Sequence, residues 1–346
     1  MSQNKPSIGP GNPPPDAILM RMLFGGMIQQ CISIVARLGI PDLVAQKPQS
    51  VTTLAKATKT NEDALYRLLR MLASVGVFSQ NNAHEIGLTE ISNLLRTDVA
   101  NSLNAYAIMM SENGLWQNWG QMIYSVETGK TSQEKVHGMG SFEYLTQNPQ
   151  AGEIFNRAMT SLSQADVSHI VNAYDFSSAR KIVDIAGGQG LLLAGILKAY
   201  PKAEGILFDL PYTIEQARSV LKKEGVAGRV ELLSGDFFES LPAGAAYYMM
   251  KHIINDWDDE HYGKIIENIR NSMAKNGKLL ILEMVIPDGN EPSPSKFLDL
   301  QMLVTTGGRE RTKEEFQKLL ESAGFKLSRI VSTLSPINVI EAMRHE

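Results

Sequence analysis

Cysteine is nearly absent from this chain, which has Cys31 alone among its 346 residues. A single thiol excludes an intrachain disulfide and any cysteine-cluster metal site, and no metal is expected. An excess of basic residues is also absent, since the formal net charge at pH 7 is -4. Because a nucleic-acid-binding surface needs clustered positive charge, we expect no nucleic-acid partner.

Long apolar runs are missing as well. No run approaches the roughly 20 apolar residues that a membrane-spanning helix needs, and the first residues lack the apolar core of a signal peptide. Residues 1–15 are instead rich in proline and glycine, a composition typical of a disordered lead. These absences predict a cytoplasmic protein with no membrane partner.

The first part of the chain has the pattern of a winged-helix domain. Apolar residues at helical spacing predict helical structure from about 16 to 43. This segment is apolar on more than one side, so we expect it to be buried, with a second subunit as one possible cover. Helices at 52–58 and 61–75, followed by a hairpin at 78–89, complete the winged-helix pattern.

A winged helix often binds DNA, but the second helix of this one is poorly suited to phosphates. Arg67 and Arg70 are its main basic residues, and Glu62 and Asp63 open it. A recognition helix needs more positive charge than this. We therefore predict a dimerisation module and a homodimer, with a winged-helix regulator carrying a nucleoside sensor domain as the alternative from another functional class.

The whole chain is predicted to have four parts, because its length exceeds that of one average domain. These are a disordered lead at 1–15, a winged-helix dimerisation domain at 16–100, a helical region at 101–175 and an α/β domain at 176–346. The helical region contains many aromatic residues. We expect some of them to line a pocket for a flat apolar substrate.

The α/β domain begins with a strand, a glycine turn and a helix. Ile182–Ile185 is a mainly apolar, β-branched run that predicts a buried strand. Gly187, Gly188 and Gly190 interrupt it, and apolar helix formers follow from Leu191. Glycines at such a turn let a ligand approach the backbone N–H groups at the start of the helix.

The ligand of this turn is predicted to be a nucleoside. The dinucleotide fingerprint fits poorly, because Leu193 stands where its third small residue belongs. Asp209, at the end of the next predicted strand, suits the two hydroxyls of a ribose. Asp184 suits an ammonium group and would repel a phosphate. S-adenosylmethionine carries both a ribose and an ammonium; a purely structural glycine turn is the alternative.

The rest of the domain alternates between strands and helices. Strands are predicted near 181–186, 204–209, 230–233, 245–250 and 277–285, with two closing strands near 325–333 and 336–342. This order predicts a parallel sheet with an antiparallel edge. Ligands of such sheets bind at the carboxyl ends of the strands, where Asp209, Asp236, Lys251 and Glu283 fall.

Several ordered motifs then give a resemblance to a known family. They are Val183-Asp-Ile-Ala-Gly-Gly-Gln-Gly190, Phe208-Asp-Leu-Pro211, Gly235-Asp-Phe237, Lys251, Asp256-Trp257-x-Asp259-Glu260 and Gly307-Gly-Arg-Glu-Arg-Thr312. From about residue 20 to the end, the chain resembles the class I S-adenosylmethionine-dependent O-methyltransferases of the caffeate and acetylserotonin type. The resemblance implies a Rossmann-like methyltransferase sheet and a winged-helix dimerisation domain.

The resemblance also implies a role for each cofactor-binding residue. Asp209 would hold the ribose hydroxyls, Asp236 and Phe237 the adenine, Lys251 the adenine end and Ser163 the methionine carboxylate. The full implied set is Ser163, Asp184, Ala186, Gly187, Gly188, Gly190, Asp209, Leu210, Gly235, Asp236, Phe237 and Lys251. Ala186 replaces the family's usual first glycine, which matters if its φ angle is positive.

The implied catalytic residues contain a departure from the family. Asn255 stands directly before Asp-Trp, where the family has its catalytic histidine, while Glu283 and Glu310 match the two acids that support that histidine. An asparagine amide can hydrogen-bond but cannot take a proton. The implied acceptor-binding residues are Phe155, Met159, Asp256, Met302 and Thr305.

Three interpretations of Asn255 remain open. Methyl transfer can continue by proximity, with Asn255 orienting an acidic acceptor. His252 can serve as the base, since residues three apart share a face if the segment is helical and point oppositely if it is a strand. Alternatively, the fold binds its cofactor but does other chemistry, as a hydroxylase, decarboxylase or pericyclase. The predicted function is O-methylation of an aromatic or polyketide-like small molecule in secondary metabolism.

Overall fold

The computed structural model describes residues 13–345. Residues 1–12, and with them most of the predicted disordered lead, lie outside the described residues, as does Glu346. Pro15 was expected in the lead but opens a helix, because proline suits the first helical position, where no backbone N–H bond is needed. The chain forms two compact units that meet in sequence at Glu112 and Asn113, whereas the predicted boundaries lie at 100 and 175.

The first unit is a small helical domain with three short strands. Its elements are α1 (Pro15–Leu23), α2 (Gly25–Arg37), α3 (Ile40–Leu43), β1 (Gln49–Ser50), α4 (Val51–Thr58), α5 (Glu62–Ser74), β2 (Phe78–Gln80), β3 (Glu85–Leu88), α6 (Glu90–Asn93) and α7 (Asn104–Met109). The Ser50 and Asn61 side chains cap α4 and α5 by accepting backbone N–H bonds. The predicted hairpin is present as β2 and β3, and β1 pairs with β3 as an additional strand.

The core of this unit explains why α5 is helical and where it lies. Leu65, Leu69 and Leu72 recur at helical spacing and are buried in one cluster with Phe78 and Ile86 of the hairpin. Burying an apolar face of this kind contributes about 25 cal/mol for each Å² removed from water. Helices followed by a three-stranded sheet in the order β1-β3-β2 form the winged-helix arrangement.

The N-terminal segment is helical as predicted and contains three helices, with Gly39 at a positive φ of 65° between α2 and α3. It differs from the prediction in the exposure of its first helix, because α1 has no buried residue. Within residues 13–345 no single helix is long and apolar enough to cross a membrane, and α1 and α2, bent by 42°, pass that test only as a pair.

The second unit contains a helical region and a sheet. The helical region consists of α8 (Asn113–Gly120), α9 (Met122–Thr128), α10 (Ser132–His137), α11 (Ser141–Gln147) and the long α12 (Pro149–Ala173). The remaining elements are β4 (Lys181–Ile185), α13 (Leu191–Ala199), β5 (Glu204–Asp209), α14 (Pro211–Lys223), β6 (Val230–Ser234), β7 (Tyr247–Lys251), α15 (Asp259–Ser272), β8 (Lys278–Glu283), β9 (Val285–Ile286), α16 (Pro294–Thr305), β10 (Arg311–Thr312), α17 (Lys313–Ser322), β11 (Phe325–Ser332) and β12 (Asn338–Arg344).

The main sheet has seven strands in the order β11-β12-β8-β7-β4-β5-β6. The strands β8, β7, β4, β5 and β6 are parallel to one another. The strand β12 pairs antiparallel with β8, and β11 pairs antiparallel with β12. The predicted parallel sheet with an antiparallel edge is therefore confirmed. Apolar clusters lie on both faces, which is why the central strands are almost continuously apolar. The carboxyl ends of β4 to β8 consequently meet along one edge.

The exposed apolar side chains of α1 and α2 give a testable prediction about assembly. Leu23 and Met27 are 63% and 65% exposed, and a cluster of this kind favours association with a second copy. We expect the protein to sediment as a dimer at micromolar concentration and the double variant Leu23→Asp/Met27→Asp to sediment as a monomer. Leu334→Asp, at a 90% exposed position, is the control that should remain dimeric. A monomeric wild type would contradict the prediction.

Candidate active site

The glycine turn after β4 is shaped by one close contact. A Cβ at Gly187 would lie 2.5 Å from the Asp184 carboxyl group and from Leu207, so only glycine fits there. Gly188 has a φ of 60°, and no atom of the described residues lies within 4 Å of the position that its Cβ would take. The turn therefore has one face packed against the sheet and one face open to a ligand.

Two further residues of the turn have unusual backbone angles. Gly190 has a φ of 77° and precedes the first residue of α13. Ala186, the residue that replaces the family's glycine, has a φ of 50°. The left-handed region is costly for a residue with a Cβ, so the alanine substitution is strained rather than neutral.

Asp184 lies beneath the turn instead of beside the open face. Its side chain is 1% exposed, and its Oδ2 atom has no hydrogen-bond partner within residues 13–345. Burial, followed by repulsion from Asp209, raises the pKa of Asp184 to about 8. A cation placed near this carboxyl group would reverse that effect and favour the ionised form.

Asp209 connects the ends of β4 and β5. Its Oδ2 accepts from the backbone N–H of Gly188 at 2.9 Å, and its Oδ1 accepts from that of Leu210 at 2.7 Å. Burial raises the pKa of Asp209, while these hydrogen bonds oppose the rise. Each carboxylate oxygen has lone pairs left for a pair of hydroxyls. The neighbouring Leu210 is 59% exposed and offers an apolar surface beside that carboxylate.

The residues after β6 lie one strand further along the same edge. Gly235 donates its N–H to the Asp209 carbonyl at 3.1 Å, and a Cβ there would meet the Phe208 ring at 2.7 Å. Asp236 is exposed, and its Oδ1 accepts from the backbone N–H of Phe238 at 2.8 Å. Phe237 is half-buried with its ring centroid 4.7 Å from that of Phe238. These side chains therefore lie on the β5–β6 side of the glycine turn.

Lys251 lies at the end of β7, on the opposite side of β4 from Asp236. Its Nζ is 3.2 Å from Ser163 Oγ and 3.1 Å from Asp166 Oδ2, both on α12. Since β7 and β6 are separated by β4 and β5, Lys251 is roughly 14 Å from the Asp236 strand end. The structure therefore brings Lys251 together with Ser163 and not with Asp236. The sequence analysis missed Asp166, a buried acid one helical turn after Ser163.

Asn255 lies in a short 3-10 turn after β7 and is buried. Its Nδ2 donates to Glu310 Oε1 at 2.7 Å. Glu310 is itself held by a bond from its backbone N–H to Asp299 Oδ1 at 3.0 Å. A buried acid thus orients the amide of Asn255. Asn255 occupies the position at which the resemblance implies a histidine.

His252 has a different partner from Asn255. Its Nδ1 lies 3.3 Å from Glu283 Oε2, while Glu283 Oε1 accepts from the backbone N–H groups of Ile253 and Ile254 at 3.0 and 3.1 Å. The segment is neither helix nor strand at this point, because His252 has a φ of 52°. The predicted choice between a shared helix face and opposite strand faces therefore does not apply.

The acids around Asn255 raise one another's pKa values. Burial, and after it the nearby Glu283, raises the pKa of Glu310 to about 8 and that of Asp256 to about 8. Burial also raises the pKa of Asp299, a residue that the sequence analysis did not single out. Four carboxyl groups thus lie in one low-dielectric region, and at neutral pH protons or cations are needed to balance them.

The remaining predicted acceptor residues lie on two helices. Phe155, Met159 and Ser163 recur every four residues of α12, so they form one stripe along that helix. On α16, Met302 is buried, and the Thr305 carbonyl accepts from Ser141 Oγ at 2.9 Å. The α12 stripe joins two apolar side chains to the residue that contacts Lys251.

Comparison with known proteins identifies the family. Residues 119–326 match the family model of the O-methyltransferase domain, and residues 20–98 match that of the O-methyltransferase dimerisation domain. The chain belongs to the O-methyltransferase family. The predicted family and fold are therefore confirmed, and the winged-helix segment corresponds to a dimerisation domain.

Several relatives extend over nearly the whole length of this methyltransferase. It is 39% identical to a phenazine O-methyltransferase of Lysobacter antibioticus, over 96% of this chain and 97% of that protein. It is 37% identical to a mitomycin biosynthesis 6-O-methyltransferase of Streptomyces lavendulae, over 93% of both chains. It is also 31% identical to the phenazine-1-carboxylate N-methyltransferase of Pseudomonas aeruginosa, over 94% of this chain and 96% of that protein.

A solved structure shows the cofactor of the family. An O-methyltransferase from neocarzinostatin biosynthesis, in complex with S-adenosylmethionine and 2-hydroxy-5-methyl naphthoic acid, superposes with a TM-score of 0.79 and 28% identity over 91% of this chain and 95% of that chain. The present protein is an S-adenosylmethionine-dependent methyltransferase of natural-product biosynthesis. Its own geometry fits that cofactor: Gly188 is open, Asp184 Oδ2 is buried and, within residues 13–345, unpaired, and Asp209 keeps free lone pairs.

The strained Ala186 gives a stability prediction. In Ala186→Gly, relief of about 1–2 kcal/mol from the left-handed region exceeds the roughly 0.4–1 kcal/mol that added unfolded-state freedom costs. We expect a net gain of about 0.5–1 kcal/mol in the free energy of unfolding, measured by urea denaturation. The control Ala199→Gly, at an exposed position of α13, should instead lose about 0.5–1 kcal/mol. A loss in both variants would show that Ala186 is not strained.

Proposed function

We propose that this homodimeric enzyme transfers a methyl group from S-adenosylmethionine to a hydroxyl of an aromatic or polyketide-like small molecule. The observation that carries this proposal is the α12 stripe, which joins apolar Phe155 and Met159 to Ser163 and, through it, to Lys251. A flat apolar molecule on this stripe lies next to the cofactor edge of the sheet. The relatives support an aromatic acceptor, since their names include phenazine and mitomycin enzymes.

The cofactor-binding residues divide between its two ends. Asp209 accepts from both ribose hydroxyls, with Leu210 packed beside the nucleoside. Asp236 and Phe237 receive the adenine, the first by accepting from its amino group and the second by packing on its ring. These residues lie at the ends of the adjacent strands β5 and β6, so one extended nucleoside reaches both.

The methionine portion of the cofactor lies on the other side of the glycine turn. Ser163 and Lys251 hold its carboxylate, while the backbone from Ala186 to Gly188 lines its length. Asp184 is buried beneath the turn, and its Oδ2 has no hydrogen-bond partner within the described part of the chain. Its carboxylate attracts the ammonium group of the cofactor. The bound cofactor supplies an electrophilic methyl group on a positively charged sulfur.

Asn255 orients the acceptor in this proposal. Its Nδ2 is held by Glu310, so its Oδ1 is the atom that remains for a hydroxyl proton. Because an amide does not take up that proton, an acidic acceptor loses it to solvent as the bond from the hydroxyl oxygen to the methyl group forms and the bond from sulfur to the methyl group breaks. The chain contributes mainly by holding the hydroxyl oxygen beside the place of the methyl group. Holding two reactants in a productive orientation can lower the activation free energy by about 7–11 kcal/mol.

His252 is the second candidate for a proton-accepting role. Its contact with Glu283 is the acid–histidine arrangement that supports a general base. The relation to an N-methyltransferase supports a nitrogen acceptor as an alternative to a hydroxyl. The replacement of the usual base by Asn255 is the one feature that supports non-methylating chemistry on the same fold.

The proposed role of Asp209 predicts a large loss of cofactor affinity on substitution. Asp209→Ala removes a half-buried carboxylate that receives two hydroxyls, so binding should weaken by about 2–5 kcal/mol. Calorimetry with S-adenosylhomocysteine measures this change. Asp288→Ala, at an exposed position in the loop after β9, is the control and should bind normally. Unchanged affinity in Asp209→Ala would remove the ribose assignment.

Variants of Asn255 and His252 separate the two catalytic interpretations. If Asn255 only orients the acceptor, Asn255→His should keep or raise the rate of methyl transfer to a phenolic substrate, and His252→Ala should change it little. If His252 is the base, His252→Ala should lower the rate by about 10²–10⁴-fold. In that case the part of the pH–rate profile that rises with pH should also disappear.

The wild-type enzyme provides the decisive control for this pair of variants. Its pH–rate profile with a converted substrate should lack a histidine-dependent limb if Asn255 acts by orientation alone. Mass spectrometry of the product and cofactor tests the reaction type. Conversion of a substrate with S-adenosylmethionine left intact would show that methyl transfer is the wrong reaction.

A further inference from the structure

The wall of the site around Asn255 contains acceptor atoms that lack donors. Asn255 is 5% exposed and Glu310 is 2% exposed. Within residues 13–345, neither Asn255 Oδ1 nor Glu310 Oε2 has a hydrogen-bond partner. Buried polar atoms are rarely left unpaired in folded proteins. Two such atoms lie on side chains that are hydrogen-bonded to each other. They point to a ligand that donates hydrogen bonds to both.

The orientation of the Asn255 amide is fixed by its neighbour. Its Nδ2 donates to Glu310 Oε1 at 2.7 Å. With Glu310 ionised, as it is when a ligand N–H group replaces its proton, turning the amide over would place Oδ1 against a carboxylate oxygen that has no proton to donate, and the hydrogen bond would be lost. Asn255 therefore presents an oxygen, not an N–H group, to whatever binds beside it.

The charges around these two residues disfavour an anionic ligand. Asp256, Glu283 and Asp299 act electrostatically on Glu310. The two terminal nitrogens of the Arg311 guanidinium are already engaged, because they donate to three backbone carbonyls and to Asp259. A phenolate or carboxylate brought to this wall would face several carboxyl groups.

The number of protons that a neutral acceptor can donate indicates which functional groups fit beside Asn255 and Glu310. A hydroxyl that is methylated has one proton, and that proton leaves in the reaction. Two unpaired acceptor atoms need at least one further proton that stays. An amino group suits this place better than a second hydroxyl, because it has two N–H donors, one for each unpaired acceptor atom, whereas a hydroxyl has one proton.

We infer that the acceptor carries an aromatic amine or ring N–H group next to the hydroxyl that is methylated, and that Asn255 Oδ1 and Glu310 Oε2 receive it. This inference rests on the proposed methylation of an aromatic hydroxyl. In the free protein, burial and Glu283 raise the pKa of Glu310 to about 8, which favours a proton on that carboxyl group. A bound N–H group takes the place of this proton.

Matched aromatic probes test the inference without requiring turnover. The probes are a naphthol and three naphthols that carry an amino, a hydroxyl or a carboxylate group on the adjacent carbon. Their affinities are measured by calorimetry with S-adenosylhomocysteine bound. The aminonaphthol should bind about 10-fold or more tightly than the plain naphthol and the hydroxynaphthoate, and more tightly than the diol.

Two variants connect this preference to the named atoms. Asn255→Leu should reduce the advantage of the aminonaphthol over the naphthol to less than about 3-fold. Glu310→Gln, which keeps the side-chain shape, should also reduce it. Glu314→Gln, the same change at an exposed position of α17, should leave the preference unaltered. Normal binding of S-adenosylhomocysteine shows that each variant is folded.

The possible results test the inferred N–H group separately from the proposed methylation of an aromatic hydroxyl. Equal binding of the aminonaphthol and the naphthol, or tighter binding of the hydroxynaphthoate, overturns the inference and leaves the proposed function standing. Equal binding of the diol overturns the choice of nitrogen. A preference unchanged in both site variants overturns the assignment to these residues. If S-adenosylhomocysteine binds but none of the naphthols does, the flat aromatic acceptor itself is wrong, and the inference falls with it.

Discussion

The close packing of Gly187 against Asp184 and Leu207 is the constraint on which the rest of the site depends. A Cβ at Gly187 would lie only 2.5 Å from those side chains, so the backbone of the turn is held directly on the sheet. That position brings the Gly188 N–H to the Asp209 carboxylate. The same turn directs the chain into α13. The absence of a side chain at Gly187 thus fixes the open face of Gly188, the Asp209 carboxylate and the first crossover helix relative to one another.

The parts of the fold that could be predicted from sequence are those that local pattern determines. The apolar strands at the centre of the sheet were predicted because each is buried on both faces and therefore almost free of polar residues. Asp209, Lys251 and Glu283 were placed correctly at strand ends for the same reason. The positive φ of Ala186 was not predictable, because it results from the packing of Gly187 and not from the alanine itself. The pairing of Lys251 with Asp166 depends on how α12 lies on the sheet, which spacing along the chain does not encode.

The segment after β7 shows why a catalytic role cannot be assigned from spacing alone. His252 and Asn255 are three residues apart, and both helical and extended geometry gave a definite relation between them. A left-handed residue at His252 removes both possibilities and sends the two side chains to different acids. His252 lies by Glu283, and Asn255 is bound to Glu310. Glu283 and Glu310, the two acids that the resemblance assigns to one histidine, therefore have separate partners here, and the left-handed backbone at His252 accompanies this division.

If Asn255 only orients the acceptor, as proposed, the acids around it can contribute to methyl transfer in place of a general base. A neutral acceptor atom becomes positively charged as it takes the methyl group, whereas it is uncharged when it binds. Carboxylates close to that atom therefore stabilise the transition state more than the bound ground state, which is the condition for catalysis. One carboxylate about 4 Å away contributes roughly 4 kcal/mol at an effective dielectric constant of about 20. A general base supplies about 10²–10⁴-fold, or roughly 3–5 kcal/mol. The two contributions are similar in size, so ionised Glu310 and Glu283 can offset the loss of the histidine if Asn255 holds the acceptor atom beside them. This electrostatic role needs the acids to be ionised. Burial raises the pKa of Glu310 to about 8 and so favours its protonated form. The positive charge of the cofactor lowers that pKa and favours the ionised form.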